Sequence, residues 1–354
     1  MKILKTYLSN KDVLSIADLS TYEINLILVL AGKLKREQKK CGRSPPFLHG
    51  KTLGMIFQKP STRTRVSFEV GMYQLGGDVV HLSASDIQLS RGETIEDTAK
   101  TLSLYLDCIM ARVYDHKDIQ TLATYASVPV INGLSDSFHP CQILADLMTI
   151  QEHKKKLKGL QLAWFGDGDN VCNDLMLGCA KTGISMTAAC PKGYEPLEEI
   201  VKLAKMEGKK TGADIIVTED SASAIKDADI ISTDTFISIG KEGERATREA
   251  AFLPKYQVNT DMMKLAKKEA IFMHCLPAKR GMEVTADVID GEQSVVWQEA
   301  ENRLHVQKAL LCFLMKAEIQ SLFCRSSLAL PEIPDDNTSN YAGNNYNSDN
   351  IKRR

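Results

Sequence analysis

Along most of this chain, short continuous apolar runs alternate with longer stretches whose apolar residues recur at helical spacing. The run at 51–58 (KTLGMIFQ) reads as a buried strand, and 63–75 follows it with helix-spaced apolar positions. Strand-then-helix recurs with apolar runs at 107–113, 129–132, 161–165, 185–189, 229–233 and 270–274. Continuous rather than alternating apolar strands, separated by helices, mark parallel sheets covered on both faces. A helix is expected over 20–40, another over 141–156 (CQILADLMTIQEHKKK) as a bridge between two layers, and a closing one from 300 to about 323. The expectation is an α/β protein with two doubly wound parallel-sheet domains bridged by helices. Residues 1–150, completed by a C-terminal helix at 304–324, form the first domain and 151–303 the second. The stretch 325–354 is rich in Asn, Ser, Asp and Pro, has little to bury, and is expected to be disordered.

Composition narrows the function classes. Lysine and arginine number 44 against 45 aspartate and glutamate, so the overall balance favours neither nucleic acid nor an anionic membrane, and any anion site has to be local. No run approaches the roughly 18 apolar residues that a membrane helix requires. The start, MKILKTYLSNKDVL, lacks the apolar core of a secretion signal, which makes a cytoplasmic location the expectation. Nine cysteines, an odd number without C-x-x-C spacing, argue against a disulfide framework or a zinc cage and are expected mostly in the core.

The first stretch with chemistry in it is 59–65, KPSTRTR, at a strand-to-helix junction on the carboxyl edge of the expected sheet, where ligands bind in such folds. Ser61 can cap the helix, the first-turn N–H groups and the helix dipole favour an anion, and two hydroxyls and two guanidiniums add donors. Phosphate is the natural guest; a capped helix with solvated arginines is the plain alternative. A second strand-to-helix turn, WFGDGDN at 164–170, invites a dinucleotide, but the third glycine of G-x-G-x-x-G is replaced by Val171 and no acidic partner for a ribose is well placed.

STRTR followed by SFE resembles the carbamoyl-phosphate loop of the aspartate and ornithine carbamoyltransferases. MARVY around Arg112, HPCQILAD at 139–146, HCLP at 274–277 and EAENR at 299–303 match the ornithine branch of that family in order and spacing, and the likeness runs from about residue 10 to 320. It implies transfer of the carbamoyl group of carbamoyl phosphate to the side-chain amine of L-ornithine, giving citrulline and phosphate without metal or organic cofactor. By resemblance, Ser61, Thr62, Arg63 and Thr64 hold the phosphate, Arg112 bridges phosphate and carbonyl oxygen, His139 and Gln142 grip the carbamoyl end, and Arg303 closes the cage. Gln88 resembles the residue that reaches a phosphate in a neighbouring subunit, which implies a homotrimer with shared active sites. Cys275 and Asp234 are placed near the reacting amine, and Leu276 offers a main-chain contact to the carbamoyl end. Asn170, Asp234, Ser238 and Ile239 are the expected ornithine ligands.

Elementary chemistry agrees with several of these assignments. Carbamoyl transfer requires a polarised carbonyl and a neutralised leaving phosphate, so donors have to converge on oxygen. His139 can serve as a neutral imidazole donating to that oxygen rather than as a base. Cys275 need not be a nucleophile, because a deprotonated amine is one already. A zinc site from His139, Cys141, His274 and Cys275 is disfavoured, since adjacent strand positions face opposite ways. The sequence departs from the family at Ile239, where methionine is usual in an S-M-G loop. That keeps putrescine or N-acetylornithine open as acceptors, while Asp234 would repel aspartate. A catalytically silent ligand-binding paralogue is a further alternative.

Overall fold

The computed structural model describes residues 8–83, 87–238 and 240–319. Ile239, the expected tail at 325–354 and the last part of the expected closing helix lie outside the described residues. The first sheet holds four parallel strands in the order β2-β1-β3-β4, with β1 Thr52–Phe57, β2 Asp78–Ser83, β3 Cys108–Arg112 and β4 Val130–Leu134. The second holds five parallel strands in the order β7-β6-β5-β8-β9, with β5 Gln161–Phe165, β6 Ser185–Ala189, β7 Ile215–Thr218, β8 Ile230–Thr233 and β9 Ile271–His274. The two parallel α/β layers expected from the apolar runs are therefore present.

Two strands are not anticipated by the pattern, β2 and β7. Both are edge strands, and neither offers the continuous buried run that marks the others: β2 has no fully buried residue and β7 has one, Ile215. The bridging helix spans Pro140–Lys154, and its residues 140–150 are all buried. It packs against the helix Asn170–Thr182 of the second layer, so that Ile143, Leu144 and Leu147 share one core with Leu175, Met176 and Cys179. The closing helix runs Val296–Leu314, starting four residues before the expected Ala300 and stopping nine before Phe323. Lys316 adopts a left-handed conformation (φ 55°), which ends the helix there. This helix packs on the helices Thr21–Cys41, Thr62–Gln74 and Pro140–Lys154, returning the end of the chain to the first layer.

Among the described residues no helix is long and apolar enough to cross a membrane. The eight described cysteines are free: Cys108, Cys141, Cys172, Cys179, Cys190 and Cys312 are buried, Cys41 is exposed and Cys275 half-buried.

Candidate active site

In each sheet the strand order reverses once, between β1 and β3 in the first and between β5 and β8 in the second, and such switch points open a crevice at the carboxyl ends of the strands. Phe57 pairs with Arg112 in register, and Phe165 with Thr233. The chain that leaves these strands therefore carries Ser61–Thr64 and Arg112 at one switch point, and 166–170 and Asp234 at the other.

On the first side, Ser61 caps the helix Thr62–Gln74, its hydroxyl accepting from the Thr64 N–H at 3.3 Å. Arg112 sits where β3 and β4 slip register, and its buried Nε has no hydrogen-bond partner. Arg303, buried on the closing helix, donates to Thr64 Oγ1 at 3.2 Å and to Gln142 Oε1 at 2.7 Å. Burial, then the neighbouring Arg303 and Arg63 guanidiniums, push the Arg112 pKa down to about 10. Arg303 is lowered too, chiefly by burial. Three crowded guanidiniums, two of them largely desolvated, at the N-terminus of a 13-residue helix form a positive focus that a dianion would relieve. Lys59, not singled out by the sequence, adds to it: it is buried over the Tyr114 ring (4.6 Å to the centroid), and burial and Arg112 lower its pKa.

His139 precedes the bridging helix with a non-helical backbone (φ −145°, ψ 63°). Its N–H donates to Asp174 Oδ2 at 2.8 Å, and the same carboxyl accepts from the Ser15 hydroxyl and the Ile16 N–H. Asp174 thus ties the amino-terminal segment, the His139 turn and the second layer together, and burial raises its pKa to about 7. A lone acid within the apolar stretch NVCNDLMLGCA was the available signal for it. The His139 ring is buried, Nδ1 has no partner, and burial followed by Arg303, Arg112 and Arg63 holds its pKa well below 6.5. The imidazole is neutral at pH 7, a form that still carries one N–H to donate. A depressed histidine pKa puts any acid loss of activity from this ring well below pH 6.5. The pH profile of kcat/KM is accordingly expected to show no inflection from His139 between about pH 6 and 7.

On the second side, β9 ends at His274, and the half-buried Cys275 thiol donates to Asp234 Oδ1 at 3.1 Å. Burial, then Asp234, push the Cys275 pKa well up, so the group is a thiol rather than a thiolate nucleophile. Leu276 is held at φ 59°, a left-handed conformation costly for a branched side chain, with its N–H donating to His274 Nδ1 at 2.9 Å. The ligand atoms of Asp234, His274 and Cys275 all lie within 4.8 Å of one another. Opposed side chains were expected at 274 and 275, but the strand ends between them and the chain turns. These atoms largely engage one another or near neighbours: Nδ1 accepts from Leu276, Nε2 lies 3.3 Å from Glu283 Oε1, and the thiol points at Asp234.

Ser238 donates to Asp169 Oδ2 at 3.4 Å, and Asp169, whose Oδ1 is buried without a partner, is pushed well up by burial and by Asp167 and Asp234. Asp169 belongs to this acidic pocket although the sequence reading assigned it no role. Asn170 is buried and donates to the Ser135 carbonyl at 2.7 Å, so its amide is engaged across the two layers. Gly168 lies against the chain at 195–196, where an added Cβ would meet the Pro196 nitrogen at 2.1 Å. Gly168→Ala is expected to cost roughly 1–3 kcal/mol of stability, read as a lowered thermal or denaturant midpoint. Gln88 is exposed at the start of the turn Gln88–Arg91 and stands outside the network described above. Thr62 is exposed and Arg63 partly so, both at the mouth of the cluster.

Comparison with known proteins gives a consistent result. Residues 11–152 match the family model described as the carbamoyl-P binding domain of aspartate/ornithine carbamoyltransferase, and residues 158–314 match its Asp/Orn binding domain. The chain is 55% identical over 305 residues to an ornithine carbamoyltransferase of Carboxydothermus hydrogenoformans, covering 86% of this chain and 97% of that protein. It is 53% identical over 317 residues to the ornithine carbamoyltransferase of Bacillus subtilis, covering 89% and 98%. Among solved structures, ornithine carbamoyltransferase from Pyrococcus furiosus superposes with a TM-score of 0.84 at 52% identity, over 89% of this chain and 99% of that one.

Proposed function

The chain belongs to the aspartate/ornithine carbamoyltransferase family, and from that premise we propose that it transfers the carbamoyl group of carbamoyl phosphate to the side-chain amine of L-ornithine, giving L-citrulline and phosphate. The observation that carries the reading is the facing of two unlike half-sites. A cluster of desolvated cations and neutral donors suits a phosphate and a developing oxyanion, and an acidic pocket opposite it suits an ammonium-bearing amino acid.

In this mechanism the phosphate lies against Ser61, Thr62, Arg63 and Thr64, with Arg303 behind Thr64. Arg112 spans phosphate and carbonyl oxygen, and the neutral His139 ring donates to the same oxygen. Gln142 and the main chain at Leu276 hold the carbamoyl NH2. The neutral side-chain amine attacks the carbonyl carbon, forming a C–N bond and a tetrahedral oxyanion that Arg112, His139 and Thr64 stabilise. The C–O bond to phosphate then breaks, its electron pair leaves with phosphate, and the ammonium proton passes to the departing phosphate. Asp234 and Cys275 orient the amine and favour its loss of a proton, while Ser238, Asn170 and the segment at Ile239 bind the rest of ornithine. The Asp234 carboxylate disfavours aspartate as acceptor.

Gln88 is read as a donor to a neighbouring subunit's phosphate in a homotrimer, with residues 1–150 and the closing helix as the carbamoyl-phosphate domain and 151–303 as the acceptor domain. Light scattering should give a mass of three chains; a monomer would contradict the shared site. The function itself is tested by citrulline formation from carbamoyl phosphate with ornithine, putrescine, N-acetylornithine and aspartate at equal concentration. Ornithine should be turned over well ahead of the others, and preference for putrescine would move the acceptor while leaving the phosphate site intact.

A further inference from the structure

Behind Arg303 lies a pair of acids that the mechanism above does not use. Asp146 on the bridging helix and Glu299 on the closing helix are both buried, and both accept from one nitrogen: Gln142 Nε2 donates to Asp146 Oδ1 at 2.9 Å and to Glu299 Oε1 at 2.8 Å. Gln142 Oε1 in turn accepts from Arg303, and Glu299 Oε2 accepts from the His274 N–H at 2.9 Å. An unbroken path therefore runs from Thr64 through Arg303, Gln142 and Glu299 to the end of β9, where Cys275 and Leu276 stand.

We propose that Asp146 and Glu299 are positioning residues that share one proton and hold the Gln142 amide in the single orientation that turns its oxygen toward Arg303 and the substrate's carbamoyl NH2. The inference rests on the carbamoyltransferase reading. Turning the amide over would set its oxygen against two carboxyl oxygens and its NH2 against a guanidinium, so these partners determine which way it faces. Two carboxylates buried together beside one cation cannot both stay ionised without large cost, and burial raises both. Both Glu299 oxygens already accept an N–H, which leaves Asp146 as the better site for the shared proton. Glu299 also reaches the backbone before Cys275, so the pair fixes the carbamoyl-binding amide and the β9 end relative to one another.

The test compares Asp146→Ala, Asp146→Asn and Glu299→Gln in the full chain, by kcat, by KM for each substrate and by calorimetric affinity for carbamoyl phosphate, with thermal midpoints as a check on folding. Asn at 146 can accept from Gln142 and donate to Glu299, as the protonated acid does, whereas Gln at 299 offers one oxygen to two N–H donors. Asp146→Ala and Glu299→Gln should each lose about 30-fold in kcat/KM for carbamoyl phosphate, with KM for ornithine moving less than about 3-fold. Asp146→Asn should recover at least about 10-fold of what alanine loses. Asparagine no better than alanine at 146, or Glu299→Gln equal to wild type, would overturn the proposal. If Glu299→Gln does not fold, the contrast between alanine and asparagine at 146 decides it. A wild-type chain inert toward ornithine would instead sink the functional reading, and carbamoyl-phosphate affinity across the same variants would still report on the amide.

Discussion

Arg112→Ala is expected to lower kcat/KM for carbamoyl phosphate by about 10³-fold while leaving the fold intact, because this guanidinium serves both the leaving phosphate and the carbonyl oxygen as charge develops there. Its position explains the size of the effect. Arg112 ends β3 at the switch point, its Nε is buried and unpartnered, and burial with Arg303 and Arg63 has already lowered its pKa to about 10. An arginine that forms no described ion pair in the chain and crowds two others is organised for an anion from outside. Arg112→Lys should recover only part of the loss, since a lysine supplies a charge but not the planar fork of donors that can touch two oxygens at once. Steady-state kinetics with saturating ornithine checks both variants, and a loss under about 10-fold for alanine would remove Arg112 from the reacting centre.

Asp234→Asn should act on the other substrate. The carboxylate follows β8 and accepts the Cys275 thiol proton and the Thr235 N–H, holding it at the mouth of the acidic pocket. Asparagine keeps the shape and removes the charge that binds the ammonium and favours loss of the reacting proton. We expect kcat/KM for ornithine to fall about 10³-fold, with carbamoyl-phosphate affinity by calorimetry within about 3-fold of wild type. Equal damage to both substrates would mean that Asp234 supports the fold of the crevice rather than the acceptor.

Much of this was legible in the sequence for a physical reason. Strands buried on both faces must be continuously apolar, so the seven buried runs stood out, the buried edge strands Val130–Leu134 and Ile271–His274 among them, whereas the edge strands Asp78–Ser83 and Ile215–Thr218, largely free of burial, did not. STRTR carries its own local geometry, a serine cap on a helix that begins where a strand ends, and Ser61 does cap Thr64. The buried acids were the harder part. Asp146, Glu299 and Asp174 sit at helical positions that local pattern assigns to core or surface; Asp146 meets Gln142 one turn away, but Glu299 bonds Gln142 157 residues away, and Asp174 bonds His139 and Ser15, 35 and 159 residues away. No local rule reports such a contact. Likewise, the turn that brings His274 and Cys275 to the same side follows from the strand ending between them, which a period-2 reading does not register.

The most direct test of the account follows the carbon itself. Carbamoyl phosphate labelled with ¹³C at the carbonyl is incubated with the full chain and L-ornithine, and the label is traced by NMR alongside released phosphate. The label is expected in the ureido carbon of citrulline, mole for mole with phosphate, and absent from that product with Arg112→Ala. Phosphate released without labelled citrulline would show hydrolysis in place of transfer, and label in a different ureido product would show another acceptor; either contradicts carbamoyl transfer to ornithine in this crevice.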